Sequence, residues 1–167
     1  TLSWLWDNHR EVFGNAKGDI FPLLIKIIDA KKDLSIQVHP TEEYALKNLG
    51  CHGKSESWYI VNCPHNADIV MGHNAKTIQE LDEYIQNKDW NGLLKRYPIF
   101  PGAFYNIQAG TLHAIQKGTT FMEVCNPCPV TYRFYDYDRL DKQGKPRQLD
   151  VEKAKDNILV PFECQDT

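Results

Sequence analysis

Two hydrophobic periods alternate along the chain, and their order predicts its elements. Residues 34–39 alternate strictly, with Leu34, Ile36 and Val38 apolar and Ser35, Gln37 and His39 polar. A period of two marks a strand with two unlike faces. Residues 21–30 form a short run rich in isoleucine, which predicts a buried strand bounded by turn residues. Further strands are predicted at 56–61, 67–71, 97–100, 104–107, 113–116, 119–124 and 131–137. Turns at Pro101-Gly102, Ala109-Gly110 and Lys117-Gly118 separate several of them. Many short strands at turn-marked spacing predict a sandwich or barrel.

The helical period is confined to a few stretches. Leu2, Leu5, Trp6, His9 and Phe13 form a stripe that predicts a helix over 3–13, with Ser3 as its N-cap and Gly14 as its stop. Pro40 and Thr41 open a short helix to Asn48, and Gly50 ends it. Thr77 and Glu80 have capping-box spacing, and Ile78, Leu81 and Ile85 share one face, so 77–88 reads as an amphipathic helix. Residues 151–158 predict a closing helix. The expected architecture is mainly β, with a helical insertion near 76–95 and short terminal helices.

Composition narrows the classes. At 167 residues with 42% hydrophobic and 25% charged positions, the chain can bury a real core and is not a disordered segment. A formal charge of −3, with a pI near 6.0, leaves no footprint for nucleic acid or an anionic membrane. Mean hydropathy is −0.50, and the longest apolar run is broken by Lys26 and Asp29, so no membrane-spanning segment is expected. No basic, apolar leader is present at the start. Five cysteines in no framework spacing suit a reducing, cytoplasmic setting. The first residue is Thr1, and Ser3-Trp4-Leu5-Trp6 already reads as helix interior, so the chain is expected to be a piece of a longer protein.

The candidate chemistry lies on the strands. Gln37 and His39 share the polar face of one strand, Glu56 opens the next, and His113 follows a glycine turn. Two imidazoles, a carboxylate and an amide make a mixed nitrogen and oxygen set, suited to zinc, iron(II), manganese or nickel. Cys125 and Cys128 have the two-residue spacing of a zinc or redox pair, but no second pair accompanies them.

These residues sit in recognisable blocks. Gly102, Gln108, Ala109, Gly110 and His113 resemble the second signature of the cupin superfamily, and His39 and Glu56 resemble ligands of the first. Residues 34–40, 53–59, 101–102, 110–115 and 131–140 together resemble type I mannose-6-phosphate isomerases of the short bacterial kind. The resemblance implies a cupin (jelly-roll) barrel that interconverts mannose 6-phosphate and fructose 6-phosphate through a cis-enediol. It implies one divalent metal, zinc, held by Gln37, His39, Glu56 and His113. Arg133 would stabilise the charged intermediate, Lys54 would sit beside the reacting carbons, and Ser35 and Lys26 would face the phosphate. The sequence departs from that family at Pro129, where an acid is usual, and at Gln108, where proline is usual. The family's chains also extend beyond both ends, with a second, C-terminal β-domain. Pro129 keeps a second reading open, a metal-containing cupin that binds a sugar or sugar phosphate without turning it over.

Overall fold

The computed structural model describes residues 1–14, 16–19 and 21–164. Its strands are β1 (Leu24–Asp29), β2 (Ile36–Val38), β3 (Glu56–Asn62), β4 (Asp68–His73), β5 (Leu94–Pro98), β6 (Phe104–Ile107), β7 (His113–Ile115), β8 (Thr120–Cys125) and β9 (Tyr132–Tyr135). They form two antiparallel sheets, ordered β1-β8-β3-β6 and β5-β4-β7-β2-β9. The helices are α1 (Leu2–Asn8), α2 (Glu42–Asn48), α3 (Ile78–Gln86), α4 (Trp90–Leu93) and α5 (Val151–Lys155).

Two apolar layers hold the sheets. Between them pack Trp58 and Ile60 of β3, Phe121 of β8, Ile69 and Met71 of β4, and Ile115 of β7. On the far side of the five-stranded sheet, Ile36, Val38, Val70 and Phe134 pack with Leu81 of α3, Leu93 of α4 and Ala154 of α5. This arrangement resolves the alternation at 34–39. Ile36 and Val38 are fully buried on the outer, helix-covered face, so the polar residues Gln37 and His39 project into the barrel. The polar face, on which the candidate ligands lie, is the interior one.

Several boundaries differ from the sequence reading. The first helix ends at Asn8, and a 3-10 turn follows over Arg10–Phe13. Its N-cap is Thr1, whose hydroxyl accepts from Trp4 N at 3.2 Å, and Ser3 lies inside the helix. Thr77 caps α3 as expected, but the Glu80 carboxylate accepts from Lys76 N, so the reciprocal half of the capping box is displaced by one residue. β5 begins at Leu94 because α4 runs directly into it.

The strand expected to be buried at 21–30 is an edge strand. Among the described residues β1 pairs only with β8, and Leu24, Ile25 and Ile27 are exposed. Its apolar run reflects a second apolar face, on which Tyr59 and Phe104 of the same sheet are also open. Two faces of unlike polarity cannot be read from a run that is apolar on both.

The turn before β3 is tight. Gly53 N donates to Glu42 Oε2 at 2.7 Å, tying the turn to the start of α2. A Cβ at Gly53 would lie 2.6 Å from Glu42 N and 2.8 Å from Thr41 C, both backbone atoms that cannot rotate away. Gly53→Ala is therefore expected to destabilise the fold by about 1–3 kcal/mol, the usual cost of forced overpacking. Thermal denaturation checks this, and an unchanged midpoint would contradict it.

Candidate metal centre

Glu56 is the first residue of β3 and points into the barrel beneath β2 and β7. Its carboxylate is almost wholly buried, so its charge must be met by neighbours. Three cationic or polar groups meet it. His39 Nε2 lies 3.0 Å from Oε1, Lys54 Nζ lies 2.8 Å from the same oxygen, and His113 Nε2 lies 3.6 Å from Oε2. Trp58 Nε1 also donates to Oε2 at 3.2 Å. Burial opposes ionisation of Glu56, but the hydrogen bond from His39 and the charges of His113, His39 and Lys54 hold its carboxyl far below the usual range.

Both imidazoles are aimed by backbone. His39 Nδ1 donates to Val130 O at 3.1 Å, and His113 Nδ1 donates to Thr111 O at 2.8 Å. Each Nε2 is thereby left as the inward atom, as in metal-ligating histidines whose other ring nitrogen is held by a carbonyl. Donor atoms of His39, Glu56 and His113 all lie within 4.8 Å of one another, and all three residues are buried. Gln37 faces His113 across β2 and β7, its amide 3.3 Å from His113 Nε2. Rotating that amide exchanges nitrogen for oxygen and offers a fourth donor. The donor set fits a divalent cation, and the Lys54 ammonium, 3.2 Å from His39 Nε2, already marks the place as one suited to positive charge.

Five of the sequence-derived candidates, Gln37, His39, Lys54, Glu56 and His113, thus converge. Arg133 joins them from β9, directly opposite Gln37 in register. Among the described residues Arg133 makes no ion pair with the nearby Asp136 or Asp138. Arg133 donates to Gln148 O at 2.9 Å, while Asp136 pairs with Arg139 and, at 3.3 Å, with Arg147. Arg133 Nε is buried without a hydrogen-bond partner among the described residues. Ser35, Gln37, Arg133, Arg139 and Arg147 line one cavity of about 480 Å³. Lys26 lies elsewhere. It sits on β1 opposite Glu123, with Nζ 2.5 Å from Glu123 Oε1, and it does not line that cavity.

Glu123 is the residue that the sequence reading passed over. It is buried on the inner face of β8, and its carboxylate groups with those of Glu56 and the thiol of Cys125 within 4.8 Å. The signal was there in Phe121, Glu123 and Cys125, a charged residue at an inward position of an alternating strand. Pro129, at the position where the family resemblance implies an acid, is exposed.

The facing sheets and the buried His-Glu-His group define a cupin-type barrel with a candidate metal site. Residues 1–74 match the catalytic domain of type I phosphomannose isomerase. The chain is 49% identical over 162 residues to the mannose-6-phosphate isomerase ManA of Bacillus subtilis, covering 96% of this chain and 51% of that protein. It is 44% identical over 159 residues to the mannose-6-phosphate isomerase of Streptococcus mutans, covering 95% and 50%. The crystal structure of the Bacillus subtilis mannose 6-phosphate isomerase superposes with a TM-score of 0.90 at 49% identity, over 99% of this chain and 53% of that one. The chain is similar to mannose-6-phosphate isomerases along nearly its whole length. It spans about half the length of the relatives it matches.

Two predictions follow from the donor geometry. His113→Ala removes one of the two inward imidazoles, so metal retained after dialysis should fall at least tenfold by elemental analysis. Full stoichiometry in that variant would displace the site. The second concerns pH. Burial, helped by His39, pushes the His113 imidazole down to about 4, against an ordinary value of 6.5. As pH falls below 6.5 the unfolded chain takes up a proton that the folded state refuses until about 4, so stability falls across that window. Denaturant midpoints of the metal-free protein should be lower at pH 5 than at pH 7, and equal midpoints would contradict the assignment.

Proposed function

We propose that this chain carries the site of an aldose–ketose isomerase acting on mannose 6-phosphate and fructose 6-phosphate, with one zinc ion held by Gln37, His39, Glu56 and His113. The observation that carries the reading is the pair of inward imidazoles converging on a buried carboxylate beside an arginine-lined cavity. The names of its relatives support the substrate. When bound, zinc supplies Lewis acidity to the carbonyl being isomerised.

The chain's own residues supply the rest. Lys54 Nζ, fixed between His39 and Glu56, stands where a proton passes between adjacent carbons. Arg133 keeps its charge at any working pH and has an unpaired buried Nε, so it can neutralise an enediolate without first giving up a partner. Glu123 is a buried carboxylate outside the donor set and takes the proton-exchange role at the sugar hydroxyl that Pro129 cannot fill. The phosphate end fits the basic cavity, where Ser35 offers a hydroxyl and Asp136 holds Arg139 and Arg147 in place. Lys26, bound to Glu123, is not part of that cavity, so the phosphate role first assigned to it passes to the two arginines.

A coupled assay forming fructose 6-phosphate from mannose 6-phosphate, run with zinc and then with chelator, tests the activity. Turnover that chelator abolishes supports the reading. No turnover with metal and sugar both bound would favour the non-catalytic binding module. Glu123→Gln should lower kcat by about 10²–10⁴-fold, the usual contribution of one acid–base group, with metal content unchanged. An unaltered kcat would remove Glu123 from the chemistry.

A further inference from the structure

The Cys125-Asn126-Pro127-Cys128 spacing suggests that its two thiols act together, but the structure separates them. Cys125 points into the barrel, where its Sγ lies 3.8 Å from Lys26 Nζ and donates to Glu123 Oε1 at 3.3 Å. Cys128 turns the other way and meets Cys51, with the two sulfurs 3.9 Å apart across 77 residues of sequence. Both are thiols, Cys51 half-buried and Cys128 buried.

We propose that Cys51 and Cys128 form a site of reversible oxidation, closed to a disulfide by exchange with a low-molecular-weight disulfide. The Cys51 thiolate attacks one sulfur of that disulfide, forms a mixed disulfide and releases one small thiol. Cys128 then loses its proton and attacks the Cys51 sulfur, releasing the second small thiol. Two protein thiols are oxidised and one small disulfide is reduced to two thiols. Sulfurs already in van der Waals contact need to approach by about 2 Å to reach a bond length near 2.05 Å. Accessibility sets the order, because Cys51 is the more open of the two.

The pair joins two segments that build the site. The segment of Cys51 continues through Gly53 to Lys54, whose backbone N–H donates to Pro40 O at 3.1 Å. The segment of Cys128 continues to Val130, whose carbonyl holds His39 Nδ1. Ser55 and Asn126 already cross-link these segments, with Ser55 N donating to Asn126 Oδ1 at 3.1 Å. A disulfide at 51–128 adds a covalent tie to that contact. Burial and the neighbouring thiol push Cys51 above its ordinary value, so exchange is slow at neutral pH and quickens as pH rises.

The test treats the folded, reduced chain with oxidised glutathione and maps peptides without reductant. A single linked pair joining residues 51 and 128, lost on adding dithiothreitol, is expected. Its rate should rise about tenfold per pH unit near neutrality, as the thiolate fraction does. Cys128→Ser should accumulate glutathione on Cys51, because the resolving thiol is gone, and Cys51→Ser should leave Cys128 unmodified. The oxidised wild-type protein should melt about 5–10 °C higher than the reduced one, from closure of a long loop. Absence of the 51–128 link, a link from either residue to Cys125 or Cys164, or a lower melting point after oxidation would each overturn the proposal.

Discussion

The buried carboxylate of Glu56 is the group around which the rest of the site is organised. An isolated carboxylate at that depth would cost far more than the fold's net stability, so it exists only with compensating groups in contact. His39, Lys54, His113 and Trp58 provide them from three different stretches of chain. Removing one partner leaves an uncompensated buried charge, and such losses cost about 3–5 kcal/mol. The cluster that can hold a metal is therefore also a constraint on how β2, β3 and β7 face one another.

That constraint accounts for a strand whose polar side faces inward. A polar interior is tolerated only where every polar atom has a partner. Val130 O and Thr111 O take the outer nitrogens of the two imidazoles, which leaves the inner nitrogens free to face Glu56. The apolar side of β2 then needs cover, and α3, α4 and α5 supply it with Leu81, Leu93 and Ala154. The helical pieces that look peripheral in the sequence close the outside of the sheet that carries the site. Among the described residues, the other sheet has no such cover over Ile25, Ile27, Tyr59 and Phe104.

What the sequence made legible follows from the same physics. The strict alternation at 34–39 placed Gln37 and His39 on one face, and the glycine turn placed His113 at a strand start, because both patterns are local. The direction of that face was not local, since it depends on which sheet surface the helices cover. Glu123 is one charge in the mainly apolar strand β8, and which side of that strand faces inward is set by the sheet packing and not by the local pattern. The divergence of Cys125 and Cys128 was also beyond reach, since residues 126–130 turn between β8 and β9 and send the two thiols to opposite sides. Edge status of β1 depends on pairing partners, which an isoleucine-rich run does not reveal.

The central claim is that Gln37, His39, Glu56 and His113 hold one metal. A second buried cluster, Glu56, Glu123 and Cys125, shares Glu56 and offers a competing place for a cation. Anomalous diffraction at the zinc edge from zinc-loaded crystals separates the two directly. A single anomalous peak bounded by His39 Nε2, His113 Nε2, Glu56 and Gln37 is expected. A peak between Glu123 and Cys125, with none between the two imidazoles, would contradict it.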